Sequence, residues 1–210
     1  MKIPAPALVL CLASLLPAQV QVFGGPGARR ASTYLAFGKD FEIKAGICIQ
    51  HGQPVWKPEY DDEEAFQGFL DTYRGKLLRL GKDWWTTFDT TAAVGIGGTE
   101  IPAGSYYLGL SYHKDGTFRL AVIDAATAMK NKEMPFVPER WTVAYEAPLE
   151  FRKNASEETV KDMTIDLIAN DRDPSRATFQ VAWGRHRLVA GVSIPLEKTA
   201  GASAAKKGRD

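Results

Sequence analysis

The sequence predicts a mainly β fold, a single antiparallel β-sandwich of about eight strands with one helical segment near residues 61–80. Apolar residues recur at every second position in eight separate stretches, which is the spacing of a strand with one buried face. Turn-forming residues separate many of these stretches, as in antiparallel sandwiches. In the remaining segment, by contrast, the apolar residues are three and four positions apart, which indicates a helix.

The predicted strands follow one another from residue 41 to residue 194. They span, in order, Phe41 to Ile49, Phe88 to Ile96, Tyr106 to Tyr112, Phe118 to Val122, Trp141 to Tyr145, Met163 to Leu167, Phe179 to Trp183 and Leu188 to Ile194. Asp115-Gly116 predicts a hairpin turn between the third and fourth strands, because both residue types tolerate positive φ. Pro148 has no N–H group and is expected to bend or end the fifth strand before Leu149 and Phe151.

The helical segment begins with four acidic residues, 61–64, which suit the positive end of a helix dipole. Its apolar stripe consists of Phe66, Phe69, Leu70, Tyr73, Leu77 and Leu80. Gly68 and Gly75 each weaken a helix by about 1 kcal/mol. The segment is therefore expected to form either one helix packed across a sheet or two broken helical turns.

The two ends of the chain differ from its middle. Residues 1–18 predict a secretory signal peptide, because a short positive start precedes about ten apolar residues and a small residue, Ala18. The apolar run is shorter than the roughly 20 residues that a membrane span requires. Residues 19–30 are expected to be a flexible linker, 31–197 the single folded domain, and 198–210 a disordered basic tail.

We therefore expect export to the periplasm or the extracellular space, with no transmembrane anchor after signal cleavage. A lipid anchor on Cys11 is the less favoured alternative, because bulky Leu10 precedes it. If Cys11 leaves with the signal peptide, Cys48 remains as the only cysteine and no internal disulfide can form.

The charge balance excludes a globally basic nucleic-acid-binding protein. The whole chain has 26 basic and 25 acidic residues, and its 45% hydrophobic content is sufficient for a buried core. Residues 31–197 alone carry 19 basic and 24 acidic side chains, so the predicted domain is mildly acidic. We expect no nucleic-acid partner for it, and only the basic tail is suited to an anionic surface.

No cofactor, metal or catalytic residue is predicted. Residues 95–98 form a glycine-rich string, but a strand follows it where a phosphate-binding loop would need a helix. Cys48 is expected to be a buried structural residue, because the odd spacing from His51 puts the two on opposite strand faces. A metal site using His51, His113 and His186 is the least favoured alternative, because their spacing matches no common ligand motif.

Trp84 and Trp85 permit two interpretations. On a strand, consecutive residues face opposite sides, so one tryptophan could lie outward near Trp56 or Tyr60 and stack on a sugar or a peptide. The favoured interpretation is that both are sealed beneath the helix, since aromatic side chains most often belong to the core.

Three segments resemble a group of exported bacterial proteins, domain of unknown function family 2911. Residues 47–54 are similar to the group's strand and Y-G-R-P turn, and 79–87 to its W-R-x-G-A-N-E-A-T-T stretch. Residues 101–108 resemble its L-P-A-G-T-Y-x-L hairpin. The resemblance implies export and a predominantly β domain, with no established activity. This chain departs from the group where Gly81-Lys82-Asp83-Trp84 replaces G-A-N-E, while Arg79 and Thr86 are retained.

These observations select five candidate binding residues: Arg79, Asp83, Trp84, Trp85 and Thr86. The expected ligand is a small molecule, a glycan or a peptide. The favoured function is a non-catalytic exported binding or envelope-associated module. The alternative is a hydrolase-like enzyme with its site near Arg79, Asp83 and the tryptophan pair.

Overall fold

A computed structural model describes residues 27, 29–39, 42–173 and 175–194, and confirms the predicted mainly β, antiparallel fold. It contains twelve strands, more than the eight predicted, and two α-helices within that part of the chain. The strands are β1 Arg30–Lys39, β2 Glu42–Gly52, β3 Lys76–Arg79, β4 Thr86–Thr90, β5 Val94–Ile96, β6 Thr99–Ile101, β7 Gly104–Tyr112, β8 Phe118–Asp124, β9 Tyr145–Arg152, β10 Val160–Ala169, β11 Arg176–Gly184 and β12 His186–Ser193. The helices are α1 Glu63–Asp71 and α2 Ala125–Asn131, with short 3-10 helices at Pro58–Asp61 and Pro138–Arg140.

The main path through the sheet runs β1-β2-β4-β7-β8-β9-β12-β11-β10. Strand β3 pairs with β7 beyond the end of β4, and the β5–β6 hairpin pairs with β12. Strand β9 joins two halves of the sheet, one running from β1 to β8 and the other from β12 to β10. Its residues 145–149 pair with β8, and its residues 150–152 pair with β12. The two ends of this path also meet, because Val55, just after β2, forms a bridge with Asp162 on β10. The sheet therefore folds over on itself into two facing halves.

One hydrophobic core fills the space between these halves. On β2, Ala45, Ile47 and Ile49 are buried, as the two-residue period predicts. The opposite half contributes Ile165 from β10 and Phe179 from β11 to the same cluster. The alternation of buried side chains thus positions both inner faces of the sandwich.

A smaller apolar layer covers the outer face of β7 and β8. Helix α2 begins where the Asp124 carboxylate accepts a hydrogen bond of 2.7 Å from the Thr127 N–H, an N-cap that fixes its start. The layer is formed by Trp85, Ala121, Ile123, Ala128 and Trp141. Trp141 therefore belongs to this outer layer and not, as predicted, to the fifth strand.

Two predicted strands have different bounds. The stretch from Phe88 to Ile96 is two strands, β4 and β5, separated by residues 91–93. Strand β9 begins at Tyr145 and continues through Pro148, so this proline does not end the strand. At Pro148 the strand pairs with β8 alone, since β12 pairs only with residues 150–152. A proline is tolerated where a strand has one partner.

The helical prediction holds only for its first half. Helix α1 ends at Asp71, and residues 76–79 form β3 rather than a second helical part. The Gly75 N–H donates to the Tyr112 carbonyl at 2.6 Å, and the main chain then pairs with β7. Strand β1 begins at Arg30, inside the predicted linker.

The predicted signal peptide and the basic tail lie outside the described residues. Within the described ranges, no helix is long and apolar enough to cross a membrane.

Candidate functional site

A cavity of about 610 Å³ lies between helix α1, strand β3 and the inner face of the sheet. Its lining is mostly aromatic and aliphatic. Helix α1 and the residues after it provide Phe66, Phe69, Leu70 and Tyr73. The sheet provides Leu110, Tyr112, Phe118, Phe151, Met163, Val181, Trp183 and Leu188. The apolar face of α1 and the apolar inner face of the sheet therefore both line this cavity.

Several aromatic contacts hold α1 at this position. Phe66 stacks on His186 with ring centroids 4.2 Å apart and planes inclined by 3°. Trp56 contacts both of these rings and also packs edge-on against Trp183. The Trp56 indole N–H donates to the Asp61 carboxylate at 2.9 Å, and that of Trp183 donates to the Pro54 carbonyl at 3.1 Å. Both indoles therefore have hydrogen-bond partners, which fixes their orientation.

The N-terminus of α1 is capped as well. The Asp62 carboxylate accepts a hydrogen bond of 2.8 Å from the Ala65 N–H, and Glu63 forms an ion pair with Lys153 near β9. An N-cap of this type contributes about 1 kcal/mol to helix stability. The aromatic contacts and the cap together fix the wall of the cavity that α1 forms.

Four charged residues line the cavity among those that the structure describes: Lys76, Arg79, Glu139 and Arg187. Arg79, on β3, donates from Nη1 to the main-chain carbonyl of Asp83 at 2.8 Å. Its guanidinium carbon lies 5.3 Å from the centroid of the Phe136 ring, within cation–π range. The Arg79 Nε is buried and has no hydrogen-bond partner among the described residues. A buried N–H without a partner costs about 1–3 kcal/mol.

The structure separates the five predicted site residues into two groups. Arg79 lines the cavity, the Asp83 carbonyl binds it, and Trp84 lies edge-on to Phe136 at 6.1 Å. Trp85 is 3% exposed and stacks on Tyr107 in the outer layer, with centroids 4.5 Å apart. These contacts join Arg79, Asp83 and Trp84 but place Trp85 elsewhere.

Thr86 also lies away from the cavity lining. Its side chain is fully buried on β4, and its hydroxyl donates to the Leu80 carbonyl. The hydroxyl thereby ties the loop of residues 80–85 to the start of the strand. Thr86 supports the position of Arg79 and Asp83 only through this loop.

The favoured prediction for the tryptophan pair is wrong. Trp84 is 51% exposed, and Trp85 is sealed beside α2 rather than beneath α1. The neighbours expected for an outward tryptophan, Trp56 and Tyr60, instead pack in the aromatic cluster around α1. The exposed partner of Trp84 is Phe136, which also lines the cavity and marks its solvent-facing side.

The histidines lie in three different environments. His186 lines the cavity and accepts a hydrogen bond at Nδ1 from the Asn154 N–H at 3.2 Å. Burial lowers the pKa of His186, and the nearby cations add to this effect. His51 contacts the Met163 carbonyl through Nε2 at 3.3 Å, while its buried Nδ1 has no described partner. Burial likewise lowers the pKa of His51. Both rings are therefore biased towards the neutral form.

The described ranges contain no group of three or more His, Cys, Asp or Glu side chains placed to hold a metal ion. His113 lies apart from the other histidines, with Nε2 3.6 Å from the Glu146 carboxylate. Cys48 is a free thiol and is half-buried rather than fully buried.

A hydrolase at the alternative site would need Arg79, Asp83 and a histidine joined in one cleft. Arg79 and His186 do line the same cavity. The hydrogen bond from Arg79 to Asp83, however, uses the carbonyl oxygen rather than the carboxylate, and His186 bonds to Asn154. The geometry thus provides an apolar space with a cationic group on its wall, and the hydrolase stays a prediction.

The sequence does not single out Phe136, Lys76, Glu139 or Arg187. Phe136 and Glu139 lie in the segment between α2 and β9, where no periodic pattern distinguishes them. Arg187 follows the turn between two predicted strands. The helical stripe from Phe66 to Tyr73 is the signal in the sequence that points to this site, because it predicts an apolar face that must pack against something.

No family model matches the chain, and no curated protein or solved structure matches it. The resemblance to domain of unknown function family 2911 therefore stays a prediction.

Proposed function

We propose that this chain is a binding protein that holds a small, largely apolar molecule in the cavity between α1 and the sheet. The observation that carries the proposal is the cavity of about 610 Å³ with its largely aromatic and aliphatic lining. Small-molecule sites typically occupy about 300–1,000 Å³ and combine such a lining with a few polar groups. A small molecule suits this space better than a glycan or a peptide, because those ligands expose many polar groups that need partners.

The apolar lining would stabilise a bound apolar group. Burial of apolar surface contributes about 25 cal/mol per Å² removed from water. A molecule of this kind would bind only the folded chain, because the lining residues come together only on folding. It would raise the free energy of unfolding by about 2.7 kcal/mol at a concentration of 100 times its Kd.

We also propose that binding takes place outside the cytoplasm, in the periplasm or the extracellular space. Residues 1–18 support this location, because their pattern is typical of a secretory signal peptide. Expression of the full chain in a bacterial host, followed by fractionation and N-terminal sequencing of the product, tests it. Cleavage near Ala18 in an exported fraction is expected, and an uncleaved cytoplasmic product would contradict it.

Titration with the neutral fluorescent probe N-phenyl-1-naphthylamine tests the binding function. The wild-type protein should raise the probe's fluorescence with saturation at one site per chain. Leu188→Phe inserts a larger side chain from β12 into the cavity lining and should weaken binding at least about tenfold.

The matched control is Leu35→Phe on β1. Leu35 is also half-buried against the core but does not line the cavity, so this variant should retain the wild-type affinity. Thermal unfolding of both variants shows that each is folded at the titration temperature. Wild-type protein that leaves the probe fluorescence unchanged would overturn the proposal, as would equal weakening by both substitutions.

A further inference from the structure

We propose that the ligand of this cavity is an amphipathic monoanion of the fatty-acid class, with its carboxylate bound by Arg79 and its alkyl chain among the aromatic rings. This inference rests on the proposed binding function and adds the chemical class of the ligand. It follows from three features of the cavity: an arginine on its wall that pairs with no described carboxylate, an excess of cationic lining residues, and an apolar remainder.

The donor pattern of Arg79 favours a carboxylate. A guanidinium presents pairs of parallel N–H groups that match the two oxygens of a carboxylate. Nη1 is bonded to the Asp83 carbonyl, whereas Nε is buried without a described partner. Because Nε is shielded from the cavity, a carboxylate would bind the part of the Arg79 guanidinium that lines the cavity wall. A ligand with no acceptor would form no hydrogen bond with that part.

The charges on the lining also favour an anion. Lys76, Arg79 and Arg187 are cationic, and among the described residues Glu139 is the one carboxylate that lines the cavity. Nη1 of Arg187 donates to the His186 carbonyl at 2.8 Å. Because a carbonyl is uncharged, this bond does not neutralise the charge of Arg187. Within the described ranges, no carboxylate forms an ion pair with Arg79 or Arg187. The net positive lining therefore attracts a negatively charged head group.

The rest of the lining suits an alkyl chain. Phe69 and Tyr73 pack edge-on with centroids 5.2 Å apart on the α1 side, and Tyr112 stacks on Phe118 at 4.3 Å on the sheet side. An alkyl chain between these rings would bury its surface without needing hydrogen-bond partners, at a gain of about fourfold in affinity per CH₂ group. A strongly polar or doubly charged molecule would lose its hydration there without compensation.

Calorimetric titration of the full-length protein with dodecanoate and with 1-dodecanol tests the inference. The two ligands share one alkyl chain and differ in the head group, and both are used below the concentrations at which they aggregate. Wild-type protein should bind dodecanoate at least about tenfold more tightly than dodecanol. Hydrogen bonds to a charged group are worth about a 10- to 100-fold difference in affinity.

Arg79→Met removes the guanidinium and keeps an unbranched side chain over the aliphatic part of the arginine. It should weaken dodecanoate binding about 10- to 100-fold and change dodecanol binding less than about threefold. The matched control is Arg119→Met, which alters a half-buried arginine on β8 outside the cavity lining and should bind both ligands as the wild type does.

Equal wild-type affinity for the two ligands would overturn the inference and leave the proposed binding function intact. Equal loss of both ligands in the Arg79→Met variant would also overturn it. Failure of the wild-type protein to bind either ligand or the neutral probe would overturn both proposals. If Arg79→Met does not fold, the wild-type comparison of the two ligands decides the question alone.

Discussion

Replacing Gly184 with alanine should destabilise the fold strongly. This glycine lies at the turn between β11 and β12 with φ of 59°, in the left-handed region. A Cβ atom at this position would lie 2.5–2.6 Å from three ring atoms of Trp56, closer than side chains approach in proteins. The left-handed backbone costs an alanine about 1–2 kcal/mol. Overpacking a buried contact adds about 1–3 kcal/mol. The free energy of unfolding should therefore fall by about 2–5 kcal/mol.

Two other glycines separate these contributions. Gly98 has φ of 86°, but a Cβ atom added there would have no described neighbour within 4 Å. Gly98→Ala should therefore cost only the backbone part, about 1–2 kcal/mol. Gly191, on β12, has neither a left-handed backbone nor a close neighbour among the described residues. Gly191→Ala should be neutral or stabilise the protein by up to about 1 kcal/mol, because alanine restricts the unfolded chain.

Urea unfolding followed by tryptophan fluorescence measures all three variants under one set of conditions. The comparison is valid where the three m-values agree with that of the wild type. A loss for Gly184→Ala no larger than that for Gly98→Ala would refute the close contact with Trp56. The neutral probe provides a second measurement. Because Trp56 supports Phe66 and His186, Gly184→Ala should also weaken probe binding, whereas Gly98→Ala should not.

Two further predictions concern the histidines and the tryptophan pair. The free energy of unfolding should fall as the pH decreases through about 6.5, because burial lowers the pKa of His51 and His186 below the value in the unfolded chain, which then binds more protons. Urea titrations from pH 8 to 5 measure this slope. His51→Gln should flatten it, and a slope unchanged by His51→Gln would contradict the assignment. Trp85→Ala should cost about 3–5 kcal/mol, because it empties a buried position, whereas Trp84→Ala should cost under about 1 kcal/mol. The reverse order in urea unfolding would show that the outer layer is not packed as described.

The two-residue period predicts the strands that have one face in the core. Strands β2, β7, β10 and β11 each alternate buried and less buried side chains over much of their length, so their sequences carry the signal directly. Strand β1 escapes this prediction because its apolar residues lie on both faces. Leu35 and Phe37 face the core, but Tyr34 is 79% exposed and Ala36 is exposed as well. Apolar residues at successive positions leave no two-residue alternation in the sequence.

The predicted helical stripe extends beyond the true helix for a specific reason. Leu77 packs against the outer layer, while its neighbour Leu78 packs against the main core. Adjacent residues therefore face opposite sides, as on a strand. The three- and four-residue spacing of Leu77 and Leu80 happens to continue the helical pattern. A strand of only four residues is too short to override this coincidence in the sequence.

The cavity itself depends on a distance that the sequence does not encode. Periodicity predicts an apolar face on α1 and an apolar inner face on the sheet, but not the separation between them. That separation is fixed by contacts between residues far apart in sequence, such as Phe66 on His186 and the indole N–H of Trp183 on the Pro54 carbonyl. Arg79 is a candidate through a family resemblance, and its buried Nε can be recognised only in three dimensions.

The contacts that position α1 against the sheet do not involve Arg79. The apolar part of the cavity and the proposed carboxylate site at Arg79 are therefore supported by different residues. The N-cap at Asp62 and the stack of Phe66 on His186 hold α1, whereas Arg79 is held by the Asp83 carbonyl and Phe136. Removing the guanidinium should therefore leave in place the walls that α1 and the sheet form, although Phe136 loses its cation–π contact. It also removes the unpaired Nε, which costs the fold stability. A change in the preference between dodecanoate and dodecanol then reports recognition of the carboxylate, not the integrity of the cavity.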